Sequence, residues 1–131
     1  MKKLMLIVNP AAGRGAYEKE IGKTLAVLYD GGCLPTVYFT AGARDAQRLA
    51  AERAGAYDII CCIGGDGTLS ETVAGLMQSS VRPPISYFPL GTTNDVATTL
   101  GLPKNNMPKA AEHIVAGSPV AVDVGRFGQK E

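Results

Sequence analysis

The chain has 131 residues, a length that fits one globular domain of about 100–150 residues. Hydrophobic residues make up 46% of the chain and charged residues 19%, which argues against intrinsic disorder. The formal net charge is +1, from 13 basic and 12 acidic residues, so the basic excess typical of nucleic-acid binders is absent. We therefore expect one packed domain with no nucleic-acid partner.

The numbers of glycine and cysteine residues further narrow the class of protein. The 16 Gly and 8 Pro are clustered between apolar runs, which indicates glycine-built loops on an ordered scaffold. The 3 Cys show no C-x-x-C spacing and are accompanied by 1 His, so a zinc site is not expected. A reduced, cytoplasmic chain without its own metal site is the simplest interpretation.

Apolar runs alternate with amphipathic segments along the chain. The first run, residues 4–8, is too short for the core of a signal peptide, which needs roughly 7–15 residues, and it therefore predicts a buried strand. Helical spacing follows at Ile21, Leu25 and Leu28. In chain order the predicted elements are a strand at 3–8, a helix at 17–30, a strand at 36–39, a helix at 43–54, a strand at 57–63, a helix at 68–77, a strand at 85–88, helices at 94–100 and 108–116, and a strand at 120–124.

This order of elements predicts an α/β fold. Strands that are apolar on both faces and alternate with helices form a parallel sheet with helices covering both faces. Right-handed crossovers then connect the strands. Ligands of such sheets bind at the carboxyl ends of the strands, so the informative residues are those that directly follow each strand.

Small polar loops follow the first four predicted strands. They read NPAAGRG at 9–15, TAG at 40–42, GGDGT at 64–68 and PLGTTND at 89–95. Each opens into a predicted helix, whose free N–H groups and positive dipole end attract phosphate, and glycine lets a phosphate approach the backbone. Four such loops at one edge predict a phosphate or nucleotide site. The G-x-G-x-x-G fingerprint after the first strand and the Walker A loop are both absent from the sequence.

Asp66 adds a carboxylate to this edge. Two anions attract each other only through an intermediary such as Mg²⁺ or a shared proton, so Asp66 indicates a metal-nucleotide or proton handling. Thr68 and Glu71 have the S/T-x-x-E spacing that predicts a helix-capping box. The residues alone also allow Asp66 to be an ordinary turn residue and Thr92 and Asp95 to act only as helix caps.

Three motifs in this order resemble the diacylglycerol kinase catalytic domain family. They are N-P-x-x-G at 9–13, G-G-D-G-T-x-x-E at 64–71 and P-x-G-T-x-N-D at 89–95. The family includes bacterial lipid kinases and sphingosine kinases, whereas NAD kinases and phosphofructokinases share G-G-D-G-T alone. The resemblance runs from about Lys3 to Gly125. It implies a parallel-sheet, Rossmann-like sandwich, the N-terminal domain of an NAD kinase/diacylglycerol kinase-like protein.

The resemblance also implies a reaction and a set of residues. Such a kinase transfers the γ-phosphoryl group of ATP, with Mg²⁺, to a hydroxyl of diacylglycerol or a related lipid. Asp66 and Asp95 are the implied catalytic residues. The implied nucleotide-binding residues are Asn9, Pro10, Ala11, Ala12, Gly13, Thr40, Gly64, Gly65, Asp66, Gly67, Thr68, Leu69, Ser70 and Thr92.

Family members have a β-rich lipid-binding domain after the nucleotide-binding domain. The resemblance therefore implies an ATP-binding domain at 1–125, with residues 126–131 starting a C-terminal domain that carries the lipid contact and the general base. We expect this C-terminal domain to bind a lipid substrate at the membrane surface. The protein would be cytoplasmic or peripheral to the membrane, and both a monomer and a homo-oligomer are compatible with the sequence. This chain alone is expected to be inactive. An NAD-kinase-like nucleotide kinase and a non-catalytic nucleotide-binding module are the alternatives.

Overall fold

The computed structural model describes residues 1–11, 17–81, 83–89 and 107–116. The predicted helix at 94–100 and strand at 120–124 lie outside these ranges. A short 3₁₀ helix, Ala54–Ala56, precedes the third strand. The other described elements are β1 (Lys2–Val8), α1 (Tyr17–Asp30), β2 (Cys33–Phe39), α2 (Asp45–Arg53), β3 (Ile59–Gly64), α3 (Asp66–Met77), β4 (Ile85–Pro89) and α4 (Met107–Val115).

The four described strands form one parallel sheet in the order β2-β1-β3-β4. In the register of this sheet, Met5 of β1 lies beside Thr36 of β2 and Ile60 of β3. All four strands therefore end at the same edge, here called the carboxyl edge. The chain leaves β1 toward β2 on one side and returns to β3 on the other, a change of direction that opens a crevice at this edge in doubly wound sheets. The predicted α/β parallel-sheet fold is confirmed.

Helices cover both faces of the sheet, which explains why its strands are apolar throughout. Met5 and Ile7 of β1 belong to the core cluster on the face that α2 and α3 cover. Leu4, Leu6 and Val8 belong to the cluster on the opposite face, with residues of α1 and α4. This alternation is the period of two that a strand buried on both sides requires.

The cysteines and one glycine serve this packing. Cys33, Cys61 and Cys62 are buried free thiols that fill the core. A Cβ atom on Gly75 of α3 would collide with the carbonyl oxygen of Gln47 in α2, so glycine allows these two helices to approach closely. Within the described ranges, no helix combines the length and apolar character needed to cross a bilayer.

The second strand is longer than the prediction of 36–39, because β2 begins at Cys33. Pairing with β1 starts at Lys2 and Cys33 and draws the preceding residues into the sheet. Pro35 lies within β2 and is tolerated because this strand pairs on one side only within the described sheet. The residues around Cys33 do not by themselves predict this long-range pairing with β1.

The second helix is shorter than predicted, beginning at Asp45 rather than at residue 43. Arg44 has a φ of 66°, in the left-handed region, and therefore cannot belong to the helix. At the other end, the N–H of Tyr57 donates to the carbonyl of Ala54, so the chain turns there and β3 starts at Ile59 instead of residue 57.

Candidate nucleotide site

A cleft of about 360 Å³ opens at the carboxyl edge of the sheet, above the ends of β1 and β2 and beside the start of α3. Loops that the sequence separates by dozens of residues meet here because their strands are parallel neighbours. The lining residues are Asn9, Pro10, Ala11, Thr40, Ala41, Gly42, Ala43, Ala46, Gly67, Thr68 and Glu71.

Asn9 connects the loop after β1 to helix α3. Its backbone N–H donates to the carbonyl of Ile63 at 3.0 Å, which continues the sheet beyond β1. Its Oδ1 accepts the N–H of Ala11 at 3.0 Å, a local turn that asparagine favours. Its Nδ2 donates to Oγ1 of Thr68 at 3.4 Å. Asn9 therefore links the loop after β1 to the first turn of α3 at one wall of the cleft.

The loop after β2 is held by Asp45. The N–H of Thr40 donates to the carbonyl of Val8 at 2.8 Å, and the N–H of Ala41 donates to Oδ2 of Asp45 at 2.7 Å. Arg48 binds the other carboxylate oxygen, with Nη2 to Oδ1 at 2.6 Å. The Ala41 N–H, and after it the Arg48 guanidinium, lower the pKa of Asp45 below its usual value. This anionic anchor fixes the wall of the cleft that Thr40 and Ala41 form.

Helix α3 begins at Asp66, so the predicted capping box is wrong. The N-cap position is Gly65, which has extended backbone angles, and no side chain of the described residues caps this end. Thr68 is already inside the helix: its N–H donates to the carbonyl of Gly65 at 3.1 Å. The Thr68 hydroxyl instead accepts the Asn9 amide. The first N–H groups of a helix lack intrahelical partners, so this uncapped start offers donors to an anion.

Two glycines of the same motif have different surroundings. A Cβ on Gly64 would lie 2.5 Å from Oγ1 and 2.8 Å from Cβ of Thr68, so the fold itself requires glycine there. A Cβ on Gly67 would meet nothing within 4 Å, and Gly67 lines the cleft. Packing does not require glycine at Gly67. The open space at this position fits a ligand that approaches the backbone closely.

Asp66 lies on the other side of this helical turn, against β4. It is half-buried and is absent from the residues that line the cleft. Tyr87 of β4 donates its hydroxyl to Oδ1 of Asp66 at 3.3 Å and to the carbonyl of Gly64 at 3.1 Å. Burial chiefly, followed by the neighbouring Cys62 and Asp66, raises the pKa of Tyr87 well above its usual value. Tyr87 therefore stays protonated and acts as a donor at neutral pH.

The acidic residues of the described segments do not form a dedicated metal cage. No group of three or more His, Cys, Asp or Glu side chains comes together in this part of the chain. One carboxylate near a phosphate-binding loop fits Mg²⁺ that arrives with a nucleotide, since Mg²⁺ commonly binds one or two carboxylates together with substrate phosphates. Among the described residues, Asp66 begins the helix at this loop, and Glu71 lines the cleft.

The structure brings together part of the predicted site. Leu69 is among the implied nucleotide-binding residues. It is 1% exposed, however, and its side chain belongs to the hydrophobic core, so it does not line the cleft. Ser70 contributes to a separate groove on the outer side of α2 and α3. Gly64, Gly65 and Asp66 lie at the junction of β3 and α3, behind the cleft lining. The predicted residues that line the cleft are Asn9, Pro10, Ala11, Thr40, Gly67 and Thr68.

Four predicted residues lie outside the described ranges: Ala12, Gly13, Thr92 and Asp95. The nucleotide and catalytic roles of the whole predicted set remain predictions. The sequence interpretation also missed Glu71 as a lining residue and Tyr87 as the partner of Asp66. Glu71 was assigned to the cap. A tyrosine within an apolar strand carried a usable signal, because a buried tyrosine hydroxyl needs a hydrogen-bond partner.

Comparison with known proteins identifies relatives over nearly the whole chain. The chain is 36% identical to a diacylglycerol kinase of Bacillus subtilis over 127 residues, covering 96% of this chain and 42% of the relative. It is 34% identical to a diacylglycerol kinase of Staphylococcus aureus, covering 98% and 41% respectively. A crystal structure of a diacylglycerol kinase from Bacillus anthracis superposes with a TM-score of 0.79 at 35% identity, over 88% of this chain and 40% of that one.

The chain thus spans about two fifths of the length of these relatives. The model of the diacylglycerol kinase catalytic domain matches residues 3–127, close to the extent of the motif resemblance. That match includes all three motifs and, apart from Lys2 at the start of β1, every described element from β1 to α4. The chain therefore belongs to the diacylglycerol kinase catalytic domain family.

Proposed function

We propose that the full-length protein is a Mg-ATP-dependent lipid kinase. It transfers the γ-phosphoryl group of ATP to a hydroxyl of diacylglycerol or a related lipid. The observation that carries this proposal is the cleft in which the loops after β1 and β2 meet the uncapped start of α3. The relatives named diacylglycerol kinase, which are similar to this chain in sequence and, for the solved structure, in fold, supply the reaction class.

The residues of this chain would hold the phosphate donor. The uncapped start of α3 presents N–H donors and a positive dipole end to the nucleotide phosphates. Gly67 leaves space for a phosphate at the backbone, and Asn9 and Thr40 bound the cleft on its other walls. Mg²⁺ bound with the nucleotide would neutralise charge that develops on the phosphates, and Asp66 would hold it. Positioning and charge neutralisation supply most of the rate in phosphoryl transfer.

The lipid-binding part is proposed to lie in sequence outside residues 1–125. The cleft of this domain is small and partly polar, and the apolar runs at 4–8, 59–63 and 85–88, within the described residues, form buried strands. We therefore assign the lipid contact, the general base and any peripheral membrane contact to a C-terminal domain that starts near residues 126–131. The net charge of +1 gives no reason to propose a nucleic-acid partner.

Nucleotide binding is tested by NMR titration of this chain with Mg-ADP. We expect the largest amide shifts at residues 9–11, 40–42 and 65–68, which surround the cleft. Shifts confined to other parts of the chain would contradict the site. Affinity can be weak, so the nucleotide is added to millimolar concentration, and Mg²⁺ alone serves as the control titration.

The reaction is tested on the full-length protein. Purified protein is mixed with Mg-ATP and detergent micelles that contain diacylglycerol, and phosphatidic acid is measured. Parallel reactions contain NAD in place of the lipid. Formation of phosphatidic acid supports the lipid kinase, whereas phosphorylation of NAD would move the assignment to the NAD-kinase-like alternative. Nucleotide binding without either product would indicate a non-catalytic module.

A further inference from the structure

Tyr87 connects strand β4 to the first turn of α3. Its ring is 2% exposed and packs in the core between the sheet and helices α2 and α3. Its hydroxyl oxygen lies 3.1 Å from the carbonyl oxygen of Gly64 and 3.3 Å from Oδ1 of Asp66. One buried side chain therefore contacts both the last residue of β3 and the carboxylate that begins α3.

The geometry makes Tyr87 a donor to the Asp66 carboxylate. A phenol carries one proton, and here the two acceptors share it. A tyrosine hydroxyl keeps its proton at neutral pH, because the ordinary pKa of a phenol is about 10. A carboxylate otherwise rotates about both of its side-chain torsions. The bond to Oδ1 restricts this rotation.

Hydrophobic packing does not account for the hydroxyl. The next residue, Phe88, packs in the cluster on the opposite face of the sheet with no polar group on its ring. A buried hydroxyl costs free energy unless it is hydrogen-bonded, so a phenylalanine would fill the Tyr87 position without that cost. What the hydroxyl adds is the contact with Gly64 and Asp66, at the junction between β3 and α3.

We propose that Tyr87 is a positioning residue, whose hydroxyl orients the Asp66 carboxylate toward the metal-nucleotide at the start of α3. The proposal rests on the proposed function, in which Asp66 acts on the Mg²⁺ and phosphates of ATP. Tyr87 itself does not touch the nucleotide. It fixes one carboxylate oxygen and so defines the direction in which the other oxygen is presented.

The test is a double-mutant cycle in the full-length protein with Tyr87→Phe, Asp66→Ala and the double variant. For each protein, kcat and the KM for Mg-ATP are measured with diacylglycerol micelles, and the free energy of unfolding is measured in urea. We expect Tyr87→Phe to lower kcat about tenfold, as loss of one hydrogen bond to a charged group does, with the KM changed less than about twofold. The double variant should be no slower than Asp66→Ala alone.

Tyr57→Phe is the matched control. It removes a hydroxyl 2.7 Å from that of Tyr38, from a side chain packed against the same core cluster, without contact to the β3–α3 junction. We expect it to leave kcat unchanged. If Tyr57→Phe slows the enzyme as much as Tyr87→Phe, or if the Tyr87→Phe and Asp66→Ala losses multiply, the positioning role is wrong.

Failure of the proposed function has a different signature. If the wild-type protein forms no phosphorylated lipid, the kinase assignment fails, and the unfolding free energies alone decide whether Tyr87 acts on Asp66. Non-additive unfolding free energies for Tyr87→Phe and Asp66→Ala would then support the link, and additive ones would overturn it.

Discussion

The first turn of α3 separates two regions with opposite properties. On one side lies the cleft, open and partly polar, where Gly67 has nothing within 4 Å of a Cβ position. On the other side lies a close-packed junction, where Gly64 contacts Thr68 and the buried Tyr87 hydroxyl bonds Asp66. The comparison indicates that one short motif serves two purposes. Its cleft side leaves room for a ligand, and its junction side holds the turn in place.

Replacing the junction carboxylate should have the largest effect. In the full-length enzyme, Asp66→Asn removes the charge and is expected to reduce kcat by about 100-fold or more, as loss of one positioned electrostatic group does. The melting temperature should change little, because Asp66 is only half-buried at a helix start. Lipid phosphorylation assays and thermal melts provide the measurements.

Asp58→Asn is the matched control for this substitution. Asp58 is an acidic residue at the opposite end of β3, where its Oδ2 accepts the N–H of Lys3. Its replacement should leave kcat unchanged. Normal turnover in the Asp66→Asn enzyme would reduce Asp66 to a turn residue, and the junction side would then serve only to hold the turn in place.

Gly64→Ala tests whether the junction side is fixed by packing. The added methyl group would lie 2.5 Å from Oγ1 of Thr68, so Thr68 or the turn must move. We expect the free energy of unfolding to fall by about 1–3 kcal/mol, the usual cost of overpacking. Because Thr68 also bonds Asn9, displacement of its side chain should weaken nucleotide binding as well. Urea denaturation and calorimetric titration with Mg-ADP measure the two effects.

The control for Gly64→Ala is Gly22→Ala in α1. A Cβ on Gly22 meets nothing within 4 Å, and Gly22 lies inside a helix, so alanine there should stabilise the protein by about 0.5–1 kcal/mol. Equal stability changes for the two variants would show that Gly64 is not under the packing constraint that the contact with Thr68 indicates.

Gly67→Ala tests the cleft side. The methyl group enters open space within a helix, so the protein should be as stable as the wild type or slightly more stable. Nucleotide affinity should nevertheless fall about tenfold, because a Cβ occupies the space proposed for a phosphate. Titration with Mg-ADP, compared with Gly22→Ala, isolates this effect. Unchanged affinity would show that the open space at Gly67 is not used by the ligand.

The contrast between the two sides also explains which features the sequence could predict. Strand and helix order followed from apolar runs and helical spacing, and helix 17–30 matches α1 in its bounds. The cleft-forming loops followed from a rule about parallel sheets, since residues after β1, β2 and β3 must meet at one edge. These features depend on local pattern or on topology alone.

Features that depend on tertiary contacts were missed. Thr68 has the local signature of an N-cap, but its hydroxyl contacts Asn9, which is 59 positions away in sequence. Leu69 belongs to the same motif as Gly67, yet its side chain is in the core because successive helical residues point in different directions. Tyr87 contacts Asp66 from a neighbouring strand, a pairing that the motif itself does not encode.

The smallest predicted effect concerns the far wall of the cleft, where Asp45 anchors Ala41. Because the pKa of Asp45 is lowered in the folded protein, its charge stabilises the fold above the unfolded pKa, near 3.8, and this contribution is lost as the pH falls through the folded pKa. Asp45→Asn should therefore reduce stability near neutral pH by less than about 1 kcal/mol, since its Arg48 partner is exposed. The difference from the wild type should shrink as the pH is lowered below 3.8.

Urea denaturation at neutral and acidic pH measures this difference, and Glu52→Gln is the control. Glu52 meets the same Arg48 at 3.4 Å but is 55% exposed and does not contact the loop after β2, so its replacement should change stability less than Asp45→Asn.

The effect of the Asp45 charge on the cleft is measured separately, by titrating the Asp45→Asn variant with Mg-ADP and comparing its nucleotide affinity with that of the wild type. The asparagine amide oxygen can still accept the Ala41 N–H, so the loop keeps its place and nucleotide affinity should change less than about twofold. A tenfold loss would mean that the Asp45 charge itself, and not only the loop it holds, contributes to the cleft.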